Sequence, residues 1–198
     1  MKIEIEDNFP LSKTRSAVGS RRLAREKVLQ LLTAFEISGD PWPKLFPHIF
    51  SRKFNFGDEE SIQDDPKIKI LKPDEIYELE SDIPIVWEEE ELQFAKTLIE
   101  GSIENKDYYN QIIEEHAKNW ELERIALIDR ILIYIAATEL IKCADIPPKV
   151  SINEAIDIAK KYSTDKSSVF INGLMEAVIV KLKEDKLIRK SGRGLIEF

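Results

Sequence analysis

Apolar residues recur every three or four positions along most of the chain, the spacing of one buried face on a helix. Ala24, Val28, Leu31 and Phe35 form such a stripe. They predict a first helix that starts near Ser20, a good N-cap after Gly19, and stops at Ser38-Gly39-Asp40-Pro41. The stretch Trp42 to Phe56 follows Pro41 and contains Pro43 and Pro47, so it has room for a short helix only. Helical spacing resumes at Trp87 or Glu88 with Phe94, Leu98 and Ile99 as its core face, and Glu88 to Glu91 place negative charge where a helix start favours it. Tyr109, Ile112 and Ile113 mark a helix over Lys106 to Lys118. Ile125, Ile128, Leu132, Ile135 and Ala136 predict the longest one, Leu122 to Lys142. Pro147-Pro148 breaks the chain, and Ser151-Ile152-Asn153-Glu154 has the form of a capping box opening a helix to about Tyr162. Phe170, Leu174, Val178 and Leu182 predict a last helix from Ser167 or Ser168. With only seven glycines and no strand–turn–strand pattern, the class is all-α, a helical bundle.

Charge changes this picture by locating its interruptions. The net −8 of the 198 residues is unevenly spread. From Asp58 to Glu91 there are fourteen acidic residues and three lysines, and the rest of the chain carries a small positive balance. Gly57 to Pro84, with Pro66, Pro73 and Pro84, therefore reads as an acidic loop or partly ordered insert. Lys13 to Lys27 holds six cations against Glu26 alone, and Lys181 to Phe198 six against three. The expected organisation is a partly ordered N-terminal arm over 1–19, a helical domain over 20–186 with an acidic insert at about 57–84, and a basic tail over 187–198. The longest apolar run, Ile131 to Ala137, is too short for a membrane span. The acidic, alternating start from Met1 to Asp7 is unlike a targeting peptide, so a cytoplasmic location is expected.

Enzyme chemistry finds little support. There is no glycine-rich phosphate loop, no Gly-x-Ser-x-Gly and no His-Glu-x-x-His. His48 and His116 have no metal-ligand spacing, and the single cysteine, Cys143, reads as a packing residue. No catalytic residue, metal or cofactor is expected. The basic cluster offers more. Arg21 and Arg25 are four apart and Arg22 and Arg25 three apart, so they share a helix face. Cations oppose the dipole at a helix start, whereas a phosphate there would receive guanidinium and backbone N–H groups together. The ordinary alternative is a solvated basic arm. In Phe170-Ile171-Asn172-Gly173, an Asn-Gly pair is poor inside a helix and suggests either a close backbone approach or a site. Phe170 would then stack on an unpaired base, although a core phenylalanine explains the same spacing.

Three ordered segments carry a resemblance. Arg21-Arg22-Leu23-Ala24-Arg25-Glu26 with Val28-Leu29-Gln30 and Phe35-Glu36 resembles the opening helix of the NusB family of transcription antitermination factors. Trp120, Arg124-Ile125, Asp129-Arg130, Leu132 and Glu139 are similar to its central helix. Lys149 to Ala155, Ala159-Lys160 and Phe170-Ile171-Asn172-Gly173 match its most specific motif. The resemblance implies a compact fold of about seven helices in two three-helix subdomains, without catalysis. It also implies binding of boxA-type single-stranded RNA as a heterodimer with NusE, a small-subunit ribosomal protein, within transcription elongation complexes on ribosomal RNA operons. By position it assigns Arg21, Arg22, Arg25, Gln30, Phe170 and Asn172 to RNA, and Thr33 and Asp129 to the NusE interface. Thr33 replaces an aromatic there, and Leu23 stands where some members have a third arginine. The rival within this fold, a domain beside an rRNA cytosine methyltransferase, needs a catalytic domain that is not expected in 198 residues. The rival of another class is a helical protein–protein adaptor whose basic end is incidental.

Overall fold

The computed structural model describes residues 17–51, 85–117 and 122–195. The expected acidic insert lies outside these residues, as does nearly all of the N-terminal arm. Helix α1 (Arg21–Ser38) starts as the sequence predicts: the Ser20 hydroxyl accepts from the Leu23 amide at 3.2 Å. It ends at Gly39, whose φ of 73° is left-handed and free of strain in a residue without a Cβ. The short helix is α2 (Trp42–Phe50). Its Phe46 stacks on Phe50 at 4.3 Å, and the Trp87 indole N–H donates to the Phe50 carbonyl. Ala17–Val18 (β1) and Ile85–Val86 (β2) add a parallel two-residue ladder, too short for alternation to have shown it.

Next come α3 (Glu89–Glu104), α4 (Lys106–His116), α5 (Leu127–Lys142), α6 (Pro148–Tyr162) and α7 (Ser167–Glu184). At the start of α3 the Glu88 amide donates to the Glu91 carboxylate at 2.8 Å. Two expected starts are corrected. Leu122–Arg124 is a single 3-10 turn, Ala126 is extended, and α5 begins at Leu127, so α1 and α7, at 18 residues each, are longer. No Gly or Pro marks that break, and Ile125 is buried in the turn as it would be in a helix, so periodicity runs through it. Helix α6 begins at Pro148, because a proline's fixed φ and missing N–H suit the first helical position. Ser151 therefore lies one turn inside α6 and does not cap it.

Helix α5 is the centre of the molecule. Every residue from Ile131 to Leu140 is buried, the pattern of a helix surrounded on all sides. It packs against α1 and α3 on one side and α6 and α7 on the other, with α4 against α7 and α5 and with α2 against α1. The helices thus form two three-helix groups, α1–α3 and α5–α7, joined through α5. A Cβ on Gly101 of α3 would lie 2.5 Å from the Thr138 methyl, so this glycine permits the α3–α5 approach. No helix among the described residues is long and apolar enough to cross a membrane.

Candidate nucleic-acid interface

The arginines at the start of α1 share a face, as their spacing requires, but α5 and α6 cover part of it. Arg21 and Arg22 are exposed. Arg21 donates to Asp145 at 2.8 Å, and its hydrogen bond holds the Asp145 carboxyl below the ordinary range. Arg22 reaches Asp157 of α6 at 3.4 Å. Exposed pairs of this kind contribute about 0–1 kcal/mol and exchange readily for other anions. Arg25 is different, with only 5% of its surface exposed. Its guanidinium donates to both oxygens of Glu139, at 2.6 and 2.8 Å, lies 3.6 Å from Glu154, and sits 5.1 Å above the Phe94 ring. Ser151 Oγ donates to the same Glu139 at 2.7 Å. The expected surface contact at Arg25 is thus corrected to an internal ion pair, because one turn further along α1 the helix has passed beneath α5 and α6.

Helix α6 extends the charged ridge. Lys160 pairs with Asp157 at 2.9 Å, while Lys161 and Tyr162 both donate to Glu26 at 2.7 Å. The ridge mixes exposed cations with carboxylates and makes only a modest positive surface. Beside Arg21 an open groove is lined by Phe94, Lys142, Cys143 and Asp145, and also by Glu89 and Glu90. Burial, followed by the charges of Glu139 and Asp145, pushes the Cys143 thiol up to about 11, so it behaves as a packing residue.

Phe170 and Asn172 lie elsewhere. Phe170 is half-buried on the wall of a groove of about 230 Å³ that it shares with Arg124, Ala126, Asp129, Thr164 and Lys166. This groove adjoins the start of α5, whereas Arg21 lies at its end, about 20 Å away at 1.5 Å per residue. Asn172 and Gly173 are exposed on α7, and nothing lies within 4 Å of where a Gly173 Cβ would be. The expected close backbone approach at Asn-Gly is therefore absent. Gln30 and Thr33 line a third groove, of about 560 Å³ and almost wholly apolar, with Leu29, Ala34, Ile37, Leu45, Ile128 and Tyr162. Gln30 accepts from Lys27 at 3.1 Å, and the Thr33 hydroxyl donates to the Leu29 carbonyl at 2.8 Å. Gln30 thus sits with the expected partner residue, not with the arginines.

Asp129 is 5% exposed, and its two oxygens accept from Ser163 at 2.6 Å and Ser167 at 2.8 Å. It ties the α6–α7 turn to α5, and the expected partner-facing acid becomes the floor of the Phe170 groove. The residues that sequence reasoning missed are Ser151, Asp145 and the role of Glu139. A glutamate two residues past the apolar run Ile131 to Ala137 and followed by Leu140-Ile141 was the available signal, since a buried charge demands a partner.

Comparison with known proteins places this geometry. The model of the NusB family matches residues 22–180. A transcription antitermination protein NusB from Salinibacter ruber is 44% identical over 114 residues, 58% of this chain and 71% of that one. Its counterpart from Chloroherpeton thalassium is 37% identical over 178 residues, 90% of this chain and 70% of that one. Among solved structures, T. maritima NusB superposes with a TM-score of 0.60 at 24% identity, over 82% of this chain and 92% of that one. A structure of antitermination factors NusB and NusE in complex with dsRNA gives 0.58 at 19% identity, over 81% and 96%. At such identities the structural likeness speaks for the fold.

Proposed function

Because the chain belongs to the NusB family, we propose that it is a transcription antitermination factor that binds boxA-type single-stranded RNA together with NusE. In this reading it works within the transcription elongation complex and supports processive transcription of ribosomal RNA operons. Its activity is binding, not catalysis. The observation that carries the reading is the pair Arg21 and Arg22, exposed at the amide-bearing start of α1 and held by surface ion pairs, with the Arg21 guanidinium 5.3 Å above the Phe94 ring. RNA phosphates would displace Asp145 and Asp157 from these guanidiniums and gain the positive end of the helix dipole. Unpaired bases would then stack at Phe170, along a path leading past Lys160 and Lys161 to the other end of α5. Asn172, exposed two residues further along α7, is available to a base edge. Arg25 contributes by fixing the start of α1 against Glu139.

NusE is assigned to the apolar groove of Gln30, Thr33 and Ile37, where an aliphatic partner surface would bury Ile37, now 74% exposed. A modest positive ridge binds RNA weakly alone, and a partner touching the same strand raises affinity by adding contacts. The test is a fluorescence-anisotropy titration of labelled boxA RNA and a scrambled sequence, with and without NusE. Wild type should prefer boxA and bind it more tightly with NusE. Arg21→Ala with Arg22→Ala should weaken binding and lower the salt slope by about 1.4, two single-strand phosphate contacts. Equal binding by wild type and the double variant would sink the RNA site. NusE binding that persists without any RNA effect would instead favour an adaptor.

A further inference from the structure

The chain continues beyond the family match at residue 180, and its continuation folds back onto the loop that holds Arg21. Helix α7 ends with the Lys186 amide bonded to Lys183 and the Leu187 amide to Leu182, at 3.0 and 2.9 Å, while Lys186 adopts φ 57°. This turn reverses the chain, and Ile188 packs against the core. The Lys190 ammonium then donates to the carbonyls of Cys143, at 2.8 Å, and Glu139, at 3.4 Å, adding a cation at the negative end of α5. The Ser191 amide donates to the Ala144 carbonyl at 3.0 Å. A Cβ on Gly194 would fall 1.9 Å from that same oxygen, so only glycine allows the contact. The segment is thus fastened at three successive points to the α5–α6 loop.

Arg193 lies between the last two fastenings and is exposed. A Cβ on the next residue, Gly194, would also lie 3.4 Å from the Asp145 backbone, so Arg193 stands beside Arg21's partner, and its charge helps hold the Asp145 carboxyl low. From Lys186 to Leu195 there are four cations and no acid. Glu89 and Glu90 line the groove that Arg21 and Asp145 share. We propose that Leu187–Leu195 is a basic strap that extends the RNA surface, with Arg193 supplying a second phosphate contact beside Arg21. The inference rests on the RNA-binding reading above. A phosphodiester fits because its two free oxygens can accept from two guanidinium forks, and the carboxylate that Arg21 holds at 2.8 Å already marks an anion position. Lys190 and Gly194 are positioning residues that hold the strap down.

The experiment uses the full chain with NusE and labelled boxA RNA, titrated at several salt concentrations. Arg193→Gln should weaken binding about threefold to tenfold and reduce the salt slope by about 0.7, one single-strand phosphate. Gly194→Ala keeps every charge but forces the strap off the loop, and should reproduce both effects, with circular dichroism confirming that the helices remain. Binding and salt slope unchanged in both variants, while wild type still prefers boxA and Arg21→Ala with Arg22→Ala weakens it, would overturn the strap alone. Failure of wild type to bind boxA RNA would overturn the strap and the RNA-binding reading together.

Discussion

Replacing Arg25 by alanine separates a folding role from an RNA-binding one. The change leaves the Glu139 carboxylate, 1% exposed, with Ser151 as its remaining side-chain donor. Removing one partner of a buried pair costs about 3–5 kcal/mol, because the other charge stays desolvated. For a chain of this size each kcal/mol moves the melting temperature by about 2–4 °C, so Tm should fall by about 6–20 °C. Arg22→Ala, which breaks an exposed pair at 3.4 Å, should change stability by at most about 0.5 kcal/mol. Arg25→Met combined with Glu139→Leu should recover most of the loss, since apolar replacements of a buried pair are often neutral. Urea unfolding followed by circular dichroism reads all three variants, and an unchanged m value would show that the end states are comparable. If Arg25→Ala unfolds within about 1 kcal/mol of wild type yet loses RNA affinity as Arg22→Ala does, the internal-pair assignment of Arg25 is wrong.

Other outcomes follow from single contacts. Lys186→Gly should raise stability by about 0.5–1 kcal/mol in urea unfolding, because it relieves a left-handed lysine while adding some freedom to the unfolded chain. Gly101→Ala should cost about 1–3 kcal/mol, since the new methyl would press on Thr138 between α3 and α5; a neutral result would mean that the two helices part easily. The Cys143 thiol, pushed up to about 11 chiefly by burial, should resist alkylation at pH 8 and react quickly in urea, as mass spectrometry would show. The Asp145 carboxyl is held low by Arg21, so its contribution is present above the unfolded value near about 3.9 and fades as pH falls through the lower folded one. Asp145→Asn should therefore lower stability slightly at pH 7, by less than about 1 kcal/mol given its exposure, with the difference shrinking as pH falls below about 3.9.

Much of the fold was legible because a helix announces its buried face at short range. Ala24, Val28 and Leu31 are buried as their spacing implies, and so are Leu98, Ile99, Ile112, Leu132 and Val178. Ser20 and Gly39 bound α1 by local hydrogen bonding and backbone freedom, which the residues themselves carry. The break before Leu127 was hidden because Ile125 is buried there as it would be in a continuous helix, and the start of α6 was hidden because Ser151 and Glu154 suit a cap but serve a neighbour. The arginine run was equally visible, yet nothing local distinguishes Arg21 and Arg22 from Arg25.

The sequence by itself determined the helices, their apolar faces, the family and the presence of a basic start. Only the tertiary structure decided which arginine faces solvent, where Phe170 stands relative to them, and what Leu187–Leu195 covers. Arg25 meets Glu139 across 114 positions, and Lys190 meets Cys143 across 47. Periodicity records which way a side chain points from its own helix. Its partner depends on which other helix the packing brings there.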